Sequence, residues 1–321
     1  MTALDELFDR AFRGWRFDGA ALVDVDGAVA WERGPISRRF DAASIAKTFA
    51  AVAALILERD GALELSAPLS RHVPGLAYDG VTLGHLLSHT SGLFDLYADA
   101  PLRADFLAFF GRPGRPYSNE DYVDFLRERR PPATAAPGAR YRYSNTNYVL
   151  LGAALEAASG ERYDRLLRRL ILAPSGMKDT EARGPWSPPP PLSADAPPAG
   201  VTYGDDDLLT TLEDLRRFAR ALTSGALLPE ESLARALRPA STAEGLAPYG
   251  LGFQIRTGER GLAAFHTGGT AGCRSLLALP ADGERVTSAF FLRAPIPPDD
   301  VFREFYVAFA RAAHAVFTPA T

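Results

Sequence analysis

The chain carries one cysteine, Cys273, in 321 residues. No disulfide framework can hold it together, and a reducing compartment suits it. Lysine is almost as scarce: only Lys47 and Lys178 stand among 35 Lys and Arg residues. An excess of either charge is also lacking. The net charge of -4 argues against nucleic acid or an anionic membrane as the main partner. No apolar run is long enough to span a bilayer, and there is no internal repeat or low-complexity tail. Residues 1–8 read as an acidic amphipathic helix, not a basic segment followed by an apolar one. No secretory signal is visible, and cytoplasm is the expected location. A Gly-x-Ser-x-Gly elbow and a phosphate-cradling glycine loop are both missing, which argues against an α/β-hydrolase nucleophile and a nucleotide site.

What is present is an ordinary globular composition, 47% hydrophobic and 23% charged, with ample core for one large or two intimate domains. The most apolar helical stretch follows Ser44, with Ile45, Phe49, Val52, Leu55 and Ile56 and no Gly or Pro until Gly61. Ser44 falls in its first turn, beside backbone N–H groups and positive dipole that suit a developing oxyanion. Lys47 lies one turn on, on the same face. Buried among apolar residues, a lysine is disfavoured as ammonium and, as a neutral amine, can take the serine proton. Arginine could not do this, and a chain that uses Arg nearly everywhere has put a Lys here. From this stretch alone a second reading stays open: an N-cap serine followed by a lysine that reaches the surface.

Along the chain, runs 19–25 and 28–32 form a hairpin joined by Asp26-Gly27. Residues 63–176 are mainly helical and loop-rich. Thr82–Ser88 has helical spacing, Ser118-x-x-Asp121 caps a helix over 119–129, and a further helix covers 147–160. Residues 185–200 are too proline-rich for helix or strand. Thr211-x-x-Asp214 caps a helix whose Leu215, Phe218, Ala219 and Leu222 form a buried stripe. Strand-like runs follow at 249–257, 262–269, 273–279 and 285–292, and an amphipathic helix closes the chain over 300–317. Strands at both chain ends with helices between them imply one α/β (α+β) architecture. Its antiparallel sheet is built from residues 1–43 and 201–321, and a helical lobe spans 44–200.

Two further motifs follow in order. Tyr143-Ser144-Asn145 lies in the helical region and His266-Thr267-Gly268-Gly269 on a C-terminal strand. With Ser44-x-x-Lys47 in front, the chain resembles the serine β-lactamase-like and penicillin-binding superfamily. It looks closest to the branch of class C β-lactamases, D-Ala-D-Ala carboxypeptidases, D-aminopeptidases, esterases and transacylases. Residues 83–93, 176–180 and 249–253 add lesser matches, so the resemblance spans about 17–292. Tyr117-Ser118-Asn119 is a second Tyr-Ser-Asn, but its polar residues are explained by the helix they open.

The resemblance implies a β-lactamase/transpeptidase-like fold and an acyl-enzyme on Ser44. Lys47 and Tyr143 would shuttle the proton, and Asn145 would meet the substrate's acyl side chain or hold Lys47. The N–H groups of Ser44 and Gly269 would form the oxyanion hole. His266, Thr267 and Gly268 would flank the leaving group or a carboxylate. Lactamases usually carry Lys at position 266; a partly charged His would bind anions more weakly. The expectation is a serine hydrolase or acyltransferase acting on a small ester, thioester or amide in metabolism or natural-product biosynthesis. A D,D-carboxypeptidase or β-lactamase, and a non-catalytic sensor, are the alternatives. No cofactor or metal is expected, the partner is a small-molecule substrate, and oligomeric state is open. His85 and His89, four apart, read as structural rather than a metal pair. Asp205-Asp206-Asp207 reads as a solvated acidic loop.

Overall fold

A computed structural model describes residues 2–13, 17–96, 98–110, 118–183, 203–241, 247–258, 261–270, 272–279, 286–293 and 305–313. Its frame is a six-stranded antiparallel sheet. The strands are β1 (Gly19–Val25), β2 (Ala28–Arg33), β6 (Gln254–Gly258), β7 (Gly261–Thr270), β8 (Cys273–Ala278) and β9 (Val286–Arg293), in the order β2-β1-β9-β8-β7-β6. The sheet is thus assembled from both ends of the chain, as its strand pattern predicts. The first hairpin turns at Asp26 and Gly27, both with positive φ, the conformation that fits a two-residue turn to twisted strands. A three-stranded sheet that the sequence pattern does not announce orders β3 (Phe40–Asp41), β5 (Leu208–Thr210) and β4 (Glu181–Ala182) as β3-β5-β4.

Side chains on β1 alternate between two apolar clusters. Ala21 and Val23 join Leu4, Phe8, Phe290, Phe305 and Phe309 on one face, where α1 (Ala3–Ala11) and a helix over 305–313 lie. Ala20 and Leu22 join the larger cluster on the other face. That cluster runs without a break through α2 (Ala46–Arg59), α3 (Leu83–Leu87), α5 (Asn119–Arg129), α6 (Asn145–Ser159) and α8 (Leu212–Thr223). α2 is buried nearly all round, and its Phe49 ring stacks on Phe218 of α8 at 4.0 Å. The stripe expected on α8 is the one it buries, and Thr211 Oγ1 accepts from the Asp214 N–H at its start. Three more helices, α4 (Ala100–Phe110), α7 (Tyr163–Leu167) and α9 (Glu230–Ala236), complete the described set. The proline-rich run 185–200 lies outside the described residues, as do residues 300–304 and 314–317 of the expected closing helix. Among the described residues, no helix is long and apolar enough to cross a membrane.

Candidate active site

Ser44 sits in a single 3-10 turn, Ala43–Ile45, that leads into α2. One turn later Lys47, fully buried, donates from Nζ to Ser44 Oγ at 3.0 Å. The Tyr143 hydroxyl, from the N-terminal approach to α6, donates to the same oxygen at 2.9 Å. Three residues separated by up to 99 positions therefore meet at one hydroxyl. Of the three, Ser44 and Tyr143 are half-buried and Lys47 is enclosed.

Tyr143 is held from behind. Its ring lies 4.3 Å from that of His89, centroid to centroid. His89 Nδ1 accepts from the Ser144 N–H at 3.2 Å and faces Asn147 Nδ2 at 3.1 Å, so the neutral ring carries its proton on Nε2. Ser144 Oγ donates to the Phe94 carbonyl at 2.6 Å, and Ser91 Oγ to Asn147 Oδ1 at 2.6 Å. His85 Nδ1 accepts from the Thr82 N–H in the cap of α3. Both histidines thus serve hydrogen bonds of the frame.

Lys47 departs from the neutral amine that its apolar helix predicts. Burial pulls its ammonium down, but the Tyr143 oxygen and, after it, the Asp205 carboxylate push it up and together prevail. The pKa of Lys47 therefore lies above its ordinary value. The acidic neighbour belongs to the loop read from sequence as solvated, and that reading is overturned. Asp205 and Asp207 are buried, and the Asp205 carbonyl accepts from Lys47 Nζ at 2.8 Å. Gly204, with φ +102, makes this approach possible: a Cβ there would collide with the Tyr148 carbonyl. Asn119, from the Tyr-Ser-Asn that opens α5, fixes the loop through both ends of its amide. Its Oδ1 accepts from the Tyr203 N–H at 2.6 Å, and its Nδ2 donates to the Tyr203 and Val149 carbonyls.

Asn145 does not reach Lys47. Its Nδ2 faces the two carboxylate oxygens of Asp95 at 3.3 and 3.2 Å. His266 also departs from expectation. It is 1% exposed, its Nε2 lies 3.0 Å from the Tyr249 hydroxyl and its Nδ1 2.8 Å from the Thr267 carbonyl. Burial, with the Lys47 charge, pulls its pKa down to about 3, so the ring is neutral and not the partly charged group that position 266 predicts. The residue that faces Thr267 is Gln254, whose Oε1 accepts from the Thr267 N–H at 3.3 Å. No motif in the sequence marks Gln254, Asp95 or Asp41; only the pairing of distant segments places them.

Gly268 lets β7 lie against the Ser44 turn. A Cβ there would collide with Ser275 Oγ and the Ala42 carbonyl, and would come within 3.0 Å of Ala43 Cβ. β6 pairs with β7 only as far as Gln254↔Phe265, while β8 pairs along 265–270. Backbone N–H groups alternate between the two edges of a strand. The Thr267 N–H turns toward Gln254, away from β8, and the Gly269 N–H two residues on turns the same way. Among the described residues, no group of three His, Cys, Asp or Glu side chains could hold a metal ion.

A serine met by a lysine one turn on and by a tyrosine from a helical region, set beside an antiparallel sheet, is the arrangement expected of a serine hydrolase of the β-lactamase-like superfamily. The chain belongs to the Beta-lactamase family, whose model matches residues 4–312. Its relatives include an esterase, a carboxypeptidase and penicillin-binding proteins. It is 27% identical over 317 residues to penicillin-binding protein 4* of Bacillus subtilis, covering 85% of this chain and 68% of that one. It is 34% identical over 198 residues to esterase EstB of Burkholderia gladioli, covering 55% of this chain and 50% of the esterase. The D-alanyl-D-alanine-carboxypeptidase/endopeptidase AmpH of Escherichia coli K12 is 32% identical over 195 residues, with 55% and 48% covered. The chain thus spans about half the length of the last two. Among solved structures, the D-amino acid amidase of Ochrobactrum anthropi SV3 shares the fold with a TM-score of 0.78. Its identity is 22%, with 98% of this chain and 100% of that one covered.

Proposed function

We propose that the protein forms an acyl-enzyme on Ser44 and passes the acyl group from a small ester, thioester or amide to water or another acceptor. The observation that carries this reading is the double approach to Ser44 Oγ, from Lys47 Nζ at 3.0 Å and the Tyr143 hydroxyl at 2.9 Å. Ammonium–phenolate and amine–phenol forms of the Lys47–Tyr143 pair differ only in where one proton sits. In the ammonium–phenolate form Lys47 keeps the shared proton, and Tyr143 Oη, a donor to Ser44 Oγ as the phenol, would instead take the proton of Ser44 as Oγ bonds to the carbonyl carbon.

The carbonyl oxygen gains the displaced electron pair, and the N–H groups of Ser44 and Gly269 would receive it. Tyr143 then returns its proton to the leaving group as the carbon–heteroatom bond breaks. The same steps in reverse, with water or an alcohol or amine as nucleophile, release the acyl group. Asn145, Gln254 and Thr267 line the accessible rim and would orient the substrate. The neutral His266 offers no cation to a carboxylate, which favours uncharged leaving groups over β-lactams and D-Ala-D-Ala peptides. The single cysteine, Cys273, is buried, and supports a cytoplasmic, metabolic or biosynthetic setting.

A fluorophosphonate probe tests the assignment. Wild-type protein is expected to gain one adduct by intact mass and Ser44→Ala none; equal labelling of the two would end it. A chromogenic cephalosporin and a D-Ala-D-Ala peptide, assayed beside short acyl esters and thioesters, separate the lactamase and carboxypeptidase readings from the one proposed.

A further inference from the structure

Ala43, immediately before Ser44, has φ +49. Among the described residues, four non-glycine residues have positive φ, and two of them touch the site: Ala43 and His89, the latter behind Tyr143. Asp26 and Arg130, the other two, sit in a tight turn and at a helix end, where that conformation is common. A left-handed alanine persists only where its surroundings over-determine it, and such strain gathers at working sites.

The surroundings of Ala43 are unusually complete. Its N–H donates to Asp41 Oδ1 at 2.9 Å. Asp41 Oδ2 accepts from Arg183 Nη2 at 3.2 Å, both side chains being 5% exposed. Burial and the charges of Asp41 and Asp205 push the Asp206 carboxyl well above its ordinary value, and its contact with Asp41 favours the charged form of Asp41. Before the strained residue, the Ala42 N–H donates to the Leu208 carbonyl at 2.9 Å, and the Ala42 carbonyl accepts from Ser275 Oγ at 2.9 Å. Beyond it lie Ser44 and, one turn on, Lys47, whose ammonium bonds the carbonyl of Asp205 in the loop that also supplies Asp206.

We propose that Asp41 is a positioning residue for acylation. Its carboxylate, gripped by Arg183 on one oxygen, locks Ala43 in the left-handed conformation and so aims Ser44 Oγ at Lys47 and Tyr143. This inference rests on Ser44 being the nucleophile. Without the lock, Ala43 relaxes to φ below zero, the direction of the next residue changes, and Ser44 Oγ leaves its two partners. The acidic loop then has two tasks at once: through Asp206 it steadies the bond that orients the nucleophile, and through the Asp205 carbonyl it steadies Lys47.

The test reads the rate of fluorophosphonate labelling together with thermal melting. Asp41→Ala is expected to melt cooperatively and label about 100-fold more slowly, the cost of a misplacement near 1 Å. Asp41→Asn keeps an acceptor for the Ala43 N–H but turns an amide N–H₂ toward Arg183, so it should label between the Asp41→Ala and wild-type rates. The decisive variant is Asp41→Ala with Ala43→Gly. Glycine adopts positive φ unaided, so the pair should label about tenfold faster than Asp41→Ala alone. A carboxylate needed only for packing would not be rescued by a change at residue 43. Labelling of Asp41→Ala at the wild-type rate, or a double variant no faster than the single, overturns the proposal. Should Asp41→Ala not fold, Ser275→Ala decides, because it frees the Ala42 carbonyl of the same turn; an unchanged rate there overturns it too. Failure of the wild-type protein to label at all would instead refute the nucleophile.

Discussion

Two walls enclose Ser44, and they treat charge in opposite ways. On one side stand the ion pair of Asp41 with Arg183 and, beside Lys47, Asp205, whose charge helps hold the Lys47 ammonium above its ordinary pKa. On the other stand His89, Tyr148, Tyr249 and His266, all fully buried or nearly so. Burial pushes the two phenols up and pulls the two imidazoles down, so every one of these four groups is neutral near pH 7. Tyr143 lies between the walls, over His89 on one side and with the Lys47 ammonium 5.3 Å from its ring centroid on the other. In the proposed mechanism the proton moves at the seam, where an acidic environment meets a dry aromatic one. Neither wall alone would set both the position of the lysine proton and the orientation of the phenol.

The sharpest way to break the seam is Tyr143→Phe, which keeps the ring on His89 and removes only the oxygen. Acylation, read as the burst with a short acyl ester, should fall about 10³-fold with little change in melting temperature. A loss below tenfold would move the proton acceptor elsewhere.

A smaller effect probes the aromatic wall by pH. The folded pKa of His266, about 3, lies below the 6.5 of the unfolded chain, so the unfolded state binds more protons between those values. Stability contributed by neutral His266 is present above pH 6.5 and is lost as pH falls toward 3. The melting temperature should decline over that window, and His266→Gln should flatten the decline. A variant with the same slope as wild type would show that His266 is already exposed or charged.

The last effect lies on the acidic wall and has the opposite sign. Burial pushes the Asp207 carboxyl up to about 8 from 3.8, so the folded state holds a proton the unfolded state has released. That contribution is complete below pH 3.8 and is lost as pH rises through 8. Asp207→Asn, which can still accept from the Gly204 N–H, should therefore melt about 2 °C or more above wild type at pH 9 and level with it near pH 4. Equal melting at both values would place the Asp207 charge in solvent.

The sequence makes one part of this site legible and hides another for a physical reason. Ser44 and Lys47 share a helix, and helical periodicity alone puts both on one face. Tyr143 and Gly268 follow from motifs whose order along the chain repeats that of a known superfamily. The six-stranded sheet is legible because alternating apolar runs occur at both ends of the chain. Hidden were the contacts between segments far apart in sequence. Lys47 meets Asp205 across 158 residues and Asp41 meets Arg183 across 142, distances at which spacing and periodicity carry no signal. Three acidic residues in a row look hydrated in one dimension; Gly204 folded against Tyr148, and Asn119 reaching back to Tyr203, bury Asp205 and Asp207. The same blindness gave Lys47 the wrong charge, because its apolar helix is visible in sequence and its acidic ceiling is not.

The position of β9 has a further bearing on how the molecule comes into being. It is the last strand of the sheet to leave the ribosome, yet it lies between β1, the first, and β8. Until it arrives, the early hairpin β1–β2 and the later trio β6–β8 are separate fragments, each with a bare hydrogen-bonding edge. A single late insertion closes both, so segments near residues 20 and 290, far apart along the chain, must pair before the sheet beside Ser44 is whole.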